Sequence, residues 1–187
     1  MVVGIYLKNG GEIVSLKKIY EKGLEEYPIA TVIGQNLFFL IYFGIGFIGL
    51  LPLKLCNIPL ISLLYIIFLI VMLLFVLRKH LCTNCYYYGK RCSTNWGKLS
   101  SFMFKEKPGN YELGIKLAGI VWGLATLIPV IGIIISLLLN FTIYKLVLMV
   151  LFVLLTPINF LLHKNSCKRC KMIYICPASM VKENKKM

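Results

Sequence analysis

Two short runs hold most of the side chains that could do chemistry. Residues 82–92 read CTNCYYYGKRC and residues 167–176 read CKRCKMIYIC, with spacings C-x2-C-x6-C and C-x2-C-x5-C. In a C-x-x-C turn both thiolates can face one cation, so each pair supplies half of a tetrahedral site. Three thiols alone are one short of a structural zinc and leave an odd sulfur among disulfides. Two motifs together make a workable set. The spacing therefore predicts a metal site built from Cys82, Cys85, Cys92, Cys167, Cys170 and Cys176, with His80 and His163 just upstream of each motif as further candidate ligands. Its partition stays open: four thiolates on one zinc, three cysteines and a histidine on each of two, or six cysteines bridging two metals. Zinc is the favoured cofactor, and an iron–sulfur cluster is the alternative.

Each motif has a partial likeness elsewhere. The C-x2-C-x6-C spacing of Cys82, Cys85 and Cys92 resembles one half of the binuclear zinc cluster of fungal transcription factors. The likeness covers eleven residues and is one of spacing. The run CKRCKMIYICP is similar to the end of the iron–sulfur loop of endonuclease III-type glycosylases. There Cys167, Cys170 and Cys176 match the last three ligands, and the first ligand has no counterpart in this chain. A cluster of that kind would take Cys92 or another distant thiol as its fourth ligand.

The elements that must position these motifs are written in the hydropathy. Of the 187 residues 59% are hydrophobic, the mean hydropathy is +0.81, and soluble domains average roughly 45–50% apolar residues. The excess falls in two blocks, residues 31–77 and 113–162, neither of which contains an acidic residue. Lipid is the solvent such blocks expect. Each divides into two spans of about 20 residues, enough for a hydrocarbon core of about 30 Å. The four spans cover about 31–51, 59–78, 114–138 and 141–162, with the second block cut at Asn140. The predicted fold is an all-α membrane protein of four transmembrane helices arranged as two hairpins.

Charge predicts the orientation. Nineteen of the 21 basic residues lie in residues 1–29, 78–116 and 163–187, and Lys54 and Lys145 are the others. Four spans with short turns on one side place those three segments together on the other. The positive-inside rule makes that side cytoplasmic, where thiols stay reduced. The expected organisation is an N-terminal cytoplasmic segment (1–29), a first transmembrane hairpin (30–78), a cytoplasmic cysteine loop (79–112), a second hairpin (113–162) and a cytoplasmic cysteine tail (163–187). The net charge of +14 then reads as membrane topology and attraction to anionic headgroups rather than as nucleic-acid binding. Whether a membrane-protein partner or a second copy is also engaged stays open.

Two amphipathic segments are expected on the interface. One runs through SLKKIYEKGLEEYP near the N-terminus, and the other through Trp96, Leu99, Phe102 and Met103 after the first cysteine motif. Residues 44–49, GIGFIG, match a nucleotide-binding pattern in letters but lie inside an apolar span, where close helix packing is the better account. No hydrolase triad, phosphate loop or pair of catalytic carboxylates stands out in the sequence. The functional expectation is a structural metal site that ties the two hairpins together and forms a platform for a partner. An iron–sulfur electron-transfer subunit and a soft-metal transporter are the alternatives. The transporter has only Met72, Met149 and Cys56 as ligands along its path.

Overall fold

The computed structural model describes residues 8–9, 12–13, 19–176 and 179–181. Four helices within it are long and apolar enough to cross a membrane: Ile29–Leu50, Leu60–Asn84, Tyr111–Leu139 and Ile143–Lys168. Strands β1 (Lys8–Asn9) and β2 (Glu12–Ile13) pair antiparallel, Lys8 opposite Ile13 and Asn9 opposite Glu12. Residues 19–28 form turns and bends with one bridging residue, not the helix expected there, and residues 15–18 of that expectation lie outside the described residues.

Helix α1 (Ile29–Leu50) follows Pro28, whose fixed φ and missing N–H suit a helix start. The second long apolar helix is composite: α2 (Leu60–Leu69), π-helical turns over Ile70–Val76, and α3 (Leu77–His80). A short interfacial-length helix, α4 (Trp96–Met103), precedes α5 (Tyr111–Leu139). Asn110 caps α5, its side-chain oxygen accepting from the Leu113 amide at 3.1 Å. The break between α5 and α6 (Ile143–Lys168) falls at Asn140–Thr142. There Lys145 donates through Nζ to the Ser136 and Asn140 carbonyls at 3.0 and 2.8 Å, the first of which also accepts from Asn140 N at 3.2 Å, so the ammonium ties the end of α5 to the start of α6.

Helix α1 packs chiefly against α5 and α6, which also pack on each other, while α3 rests on α5. Small residues and hydroxyls decide how closely. Gly46 and Gly49 lie where a Cβ would meet Pro129, Phe152 and Ile133, whereas Gly119 and Gly123 of α5 have nothing within 4 Å of that position. The Tyr42 ring stacks on Phe152 with centroids 4.7 Å apart. Its hydroxyl lies 3.1 Å from Thr126 Oγ1 and 3.2 Å from Thr156 Oγ1, joining α1, α5 and α6 at mid-height. Pro129 has no N–H for the carbonyl four residues earlier, and the Tyr65 hydroxyl donates to that Ala125 carbonyl at 2.9 Å. Hydrocarbon supplies no alternative donor, so this bond completes the backbone of α5.

The outward faces carry large apolar side chains, with Leu40 72% and Leu138 82% exposed. Such a surface fits a lipid-facing bundle and not an aqueous one. The all-helical architecture with four long apolar helices is consistent with a multi-pass membrane protein.

Candidate anion pocket at the basic end of the bundle

The loop after α3, the segment before α1 and the segment after α6 fold together into a cap at one end of the bundle. Backbone bonds stitch it: Tyr20 N donates to Lys171 O at 3.0 Å, Leu24 N to Arg169 O at 2.9 Å, and Tyr27 N to Arg91 O at 2.9 Å. Gly23 is needed where the strands touch, since a Cβ there would lie 2.8 Å from Lys171 N and 2.9 Å from its Cα.

The tyrosine triplet ties the layers. Tyr87 is buried, donates to Leu24 O at 2.7 Å and accepts from Lys171 N at 3.1 Å. Tyr88 donates to Phe104 O at 2.7 Å, and Tyr86 donates to the Glu25 carboxylate. Glu25 also pairs with Lys171 at 2.5 Å, and Glu26 with Arg91 at 2.7 Å. The Lys171 hydrogen bond, then that of Tyr86, holds the Glu25 carboxyl below its ordinary range, and Glu25 in turn raises the Lys171 ammonium.

Both cysteine motifs lie in this cap, but not as a metal centre. Among the described residues no group of three or more His, Cys, Asp or Glu side chains is placed to hold a metal ion. The predicted zinc or iron–sulfur site, and the metal clamp and electron-transfer readings built on it, are therefore corrected. The physical reason is local: four of the six motif sulfurs, Cys92, Cys167, Cys170 and Cys176, have non-cysteine partners close by. Both C-x-x-C pairs do make the expected turn, Cys85 N donating to Cys82 O at 3.3 Å and Cys170 N to Cys167 O at 3.1 Å. Their side chains then diverge. Cys92 Sγ accepts from Gly97 N at 3.4 Å, and Cys170 Sγ from Met172 N at 3.4 Å. Cys167 Sγ sits 3.6 Å from His163 Nε2, and Cys176 bonds the Tyr111 hydroxyl. Burial, more than the neighbouring sulfurs, pushes the Cys170 thiol up to about 11 and the Cys85 thiol well above its ordinary value. Both are protonated thiols at neutral pH. His80 is occupied as well, its Nδ1 accepting from Asn110 N at 3.0 Å. No disulfide joins any of the seven cysteines, all of which lie among the described residues.

The polar site that does form lies between α1, α3 and α4. A cavity of about 470 Å³ opens there, within the size range of small-ligand sites. On its wall is Arg78, only 2% exposed, whose Nε and Nη1 have no hydrogen-bond partner. None of the ion pairs among the described residues includes it. Its guanidinium lies over the Trp96 ring, 5.3 Å from the centroid. That contact offsets about 0.5–2 kcal/mol. Withdrawing an ion from water costs several kcal/mol, so the ring leaves most of the penalty standing.

The rest of the lining extends the same chemistry. Asn95, held at φ 61° before α4, lines the same cavity, and its buried Oδ1 has no partner among the described residues. Asn36 donates to Val32 O at 2.8 Å and to Thr94 O at 3.1 Å, fixing the 94–96 turn against α1. Lys98 adds a second cation at the mouth, and Val32, Leu99 and Phe102 form an apolar rim. Arg78 reads in sequence only as a basic flank at the end of a span, and Asn36 as a helix–helix contact. The available signal was the conjunction of a basic flank with Trp96 in a neighbouring amphipathic run.

No family model, curated protein or solved structure matches the chain, so its own residues carry the functional argument.

Proposed function

We propose that the protein is a non-enzymatic integral membrane protein that engages the anionic headgroups of the leaflet on its basic side. In this reading the chain crosses the bilayer four times as two hairpins. Its termini and the 79–112 loop are cytoplasmic, and its cap sits among the headgroups. The observation that carries the reading is the face presented by α4. Leu99, Phe102 and Met103 are exposed, Phe102 by 77%, while Gly97 and Ser100 are buried against the cap. An apolar outer face flanked by Lys98 and Lys105 is the composition of a helix lying in the plane of an anionic interface. The concentration of basic residues on the three cap segments supports the same orientation.

The test is reconstitution in nanodiscs of zwitterionic lipid with and without an anionic component. Anionic lipid is expected to raise the thermal midpoint at low salt. The gain should fade near 0.15 M salt, where the Debye length is about 8 Å. In parallel, a membrane-impermeant maleimide added outside intact cells should label Cys56, an exposed thiol on the turn between α1 and α2. An indifferent midpoint would sink the headgroup reading, and Cys56 labelling only after lysis would invert the orientation.

A further inference from the structure

The charge reading just given is diffuse, whereas Arg78 is a single buried cation with a cavity in front of it. We propose that the Arg78 pocket binds one phosphate oxyanion, the group shared by glycerophospholipid headgroups and soluble phosphates. This rests on the preceding reading for its setting at the membrane face, and it adds a discrete site.

Three features specify the ligand. Arg78 offers N–H donors at two positions that the protein itself leaves unused, which suits an oxyanion with several acceptor oxygens. An arginine serves better here than a lysine would, because its planar fork fixes the direction of the donors and stacks on Trp96. Lys98 at the mouth raises the local positive potential without closing the entrance. Asn95 lines the same cavity and holds an acceptor, Oδ1, that the protein leaves unpaired, so a hydroxyl or an ammonium adjacent to the phosphate would suit this wall. The rim of Val32, Leu99 and Phe102 accepts hydrocarbon, which favours a lipid as the source. An acyl chain leaving the phosphate would run across the exposed face of Phe102 into the bilayer.

The alternative resting states of the pocket fit less well. A water-filled pocket would satisfy the donors but would leave the guanidinium charge without a counter-ion. A carboxylate of the chain would serve, yet none of the ion pairs among the described residues reaches Arg78: those of Glu25, Glu26 and Glu106 go to Lys90, Lys171, Arg91 and Lys107.

The experiment uses the full chain in neutral detergent, stripped of lipid, with Trp122→Phe so that Trp96 is the sole indole. Trp96 fluorescence is followed during separate titrations with short-chain phosphatidylglycerol, inorganic phosphate and short-chain phosphatidylcholine. The expected result is saturable binding of phosphatidylglycerol that inorganic phosphate competes away, and a loss of about tenfold or more in Arg78→Gln. Phosphatidylglycerol binding well above inorganic phosphate assigns the lipid source. Saturation by inorganic phosphate with no gain from the lipid assigns the soluble one. Failure of every probe to saturate overturns the proposal, as does unchanged affinity in a folded Arg78→Gln protein. Should Arg78→Gln not fold, Lys98→Glu at the exposed mouth decides between the outcomes: a loss of about threefold or more is expected, and unchanged affinity refutes. The nanodisc response separates the two readings, because a diffuse effect of anionic lipid survives Arg78→Gln even if the pocket binds nothing.

Discussion

The hydrogen bond from Tyr65 to Ala125 allows a prediction with an internal control. Tyr65 is 2% exposed and its hydroxyl lies 2.9 Å from the Ala125 carbonyl. That carbonyl is four residues before Pro129, which has no N–H to offer it. Tyr65→Phe keeps the ring and its burial and removes only the donor. The carbonyl is then left in an environment without water. A buried group deprived of its partner costs about 1–3 kcal/mol in soluble proteins. Interhelical bonds in membranes average about 0.6 and reach about 1.7 kcal/mol. A loss of about 1–1.5 kcal/mol is therefore expected, a factor of roughly five to ten in the unfolding equilibrium.

The control is Pro129→Ala. An alanine at 129 returns a backbone donor to Ala125, so Tyr65→Phe in that background should cost less than about 0.5 kcal/mol. Packing lost with the proline ring, which lies beside Gly46, appears equally in both Pro129→Ala arms and cancels from the cycle. Reversible unfolding of the four proteins in mixed micelles measures the coupling. An equal cost of Tyr65→Phe in both backgrounds would refute the claim that this hydroxyl replaces the missing proline donor.

Two further outcomes test the cap. Gly23→Ala places a methyl group against the Lys171 backbone, which cannot rotate away as a side chain could. The segment 19–27 should lift, and maleimide labelling of Cys170 should quicken by about tenfold while helix content holds, since local opening governs such reactivity. Unchanged labelling argues against the contact. The Glu25–Lys171 pair sets a pH window. Glu25 titrates below its ordinary 4.5, so its contribution is present above that value and is lost as pH falls through the lowered one. Lys171 titrates above its ordinary 10.5, so its contribution is present below that value and is lost as pH rises further. Protection of the Leu24 amide, corrected for intrinsic exchange, should therefore drop below about pH 4.5. A drop of the same size in Glu25→Gln would show that another group controls it.

What could be read in advance divides along a physical line. The four spans, the break at Asn140 and the short helix from Trp96 were legible because each depends on local hydropathy and periodicity, which lipid leaves little freedom to override. The amphipathic run near the N-terminus was legible only as a pattern. Its described part follows the bridge to Cys170 instead of coiling, because pairing with the 169–171 backbone satisfies the same amides. The cysteines misled for a related reason. Spacing settles whether two residues share a turn, and both C-x-x-C turns exist. It does not settle where the sulfurs point, and here the points of contact are Gly97, Met172, His163 and Tyr111.

The same division explains why Arg78 and the cysteines exchanged roles. A cap on a membrane protein has two polar faces, one toward water and one toward headgroups, and a thin apolar interior between them. Thiols are small and weakly polar, so they fill that interior at little cost, and burial there makes Cys85 and Cys170 lose their protons less readily. A guanidinium cannot do so without an anion. Arg78 stands at the end of an apolar helix, where a basic residue usually reaches outward to the interface. Here the 94–96 turn, pinned to α1 by Asn36, brings Trp96 over it and closes that route. The fold thus confines a charge that solvent would otherwise have taken, next to a cavity lined in part by α4. A residue that composition marks as an orientation signal becomes a buried cation with two unpartnered donors, and that is the observation on which the proposed phosphate site rests.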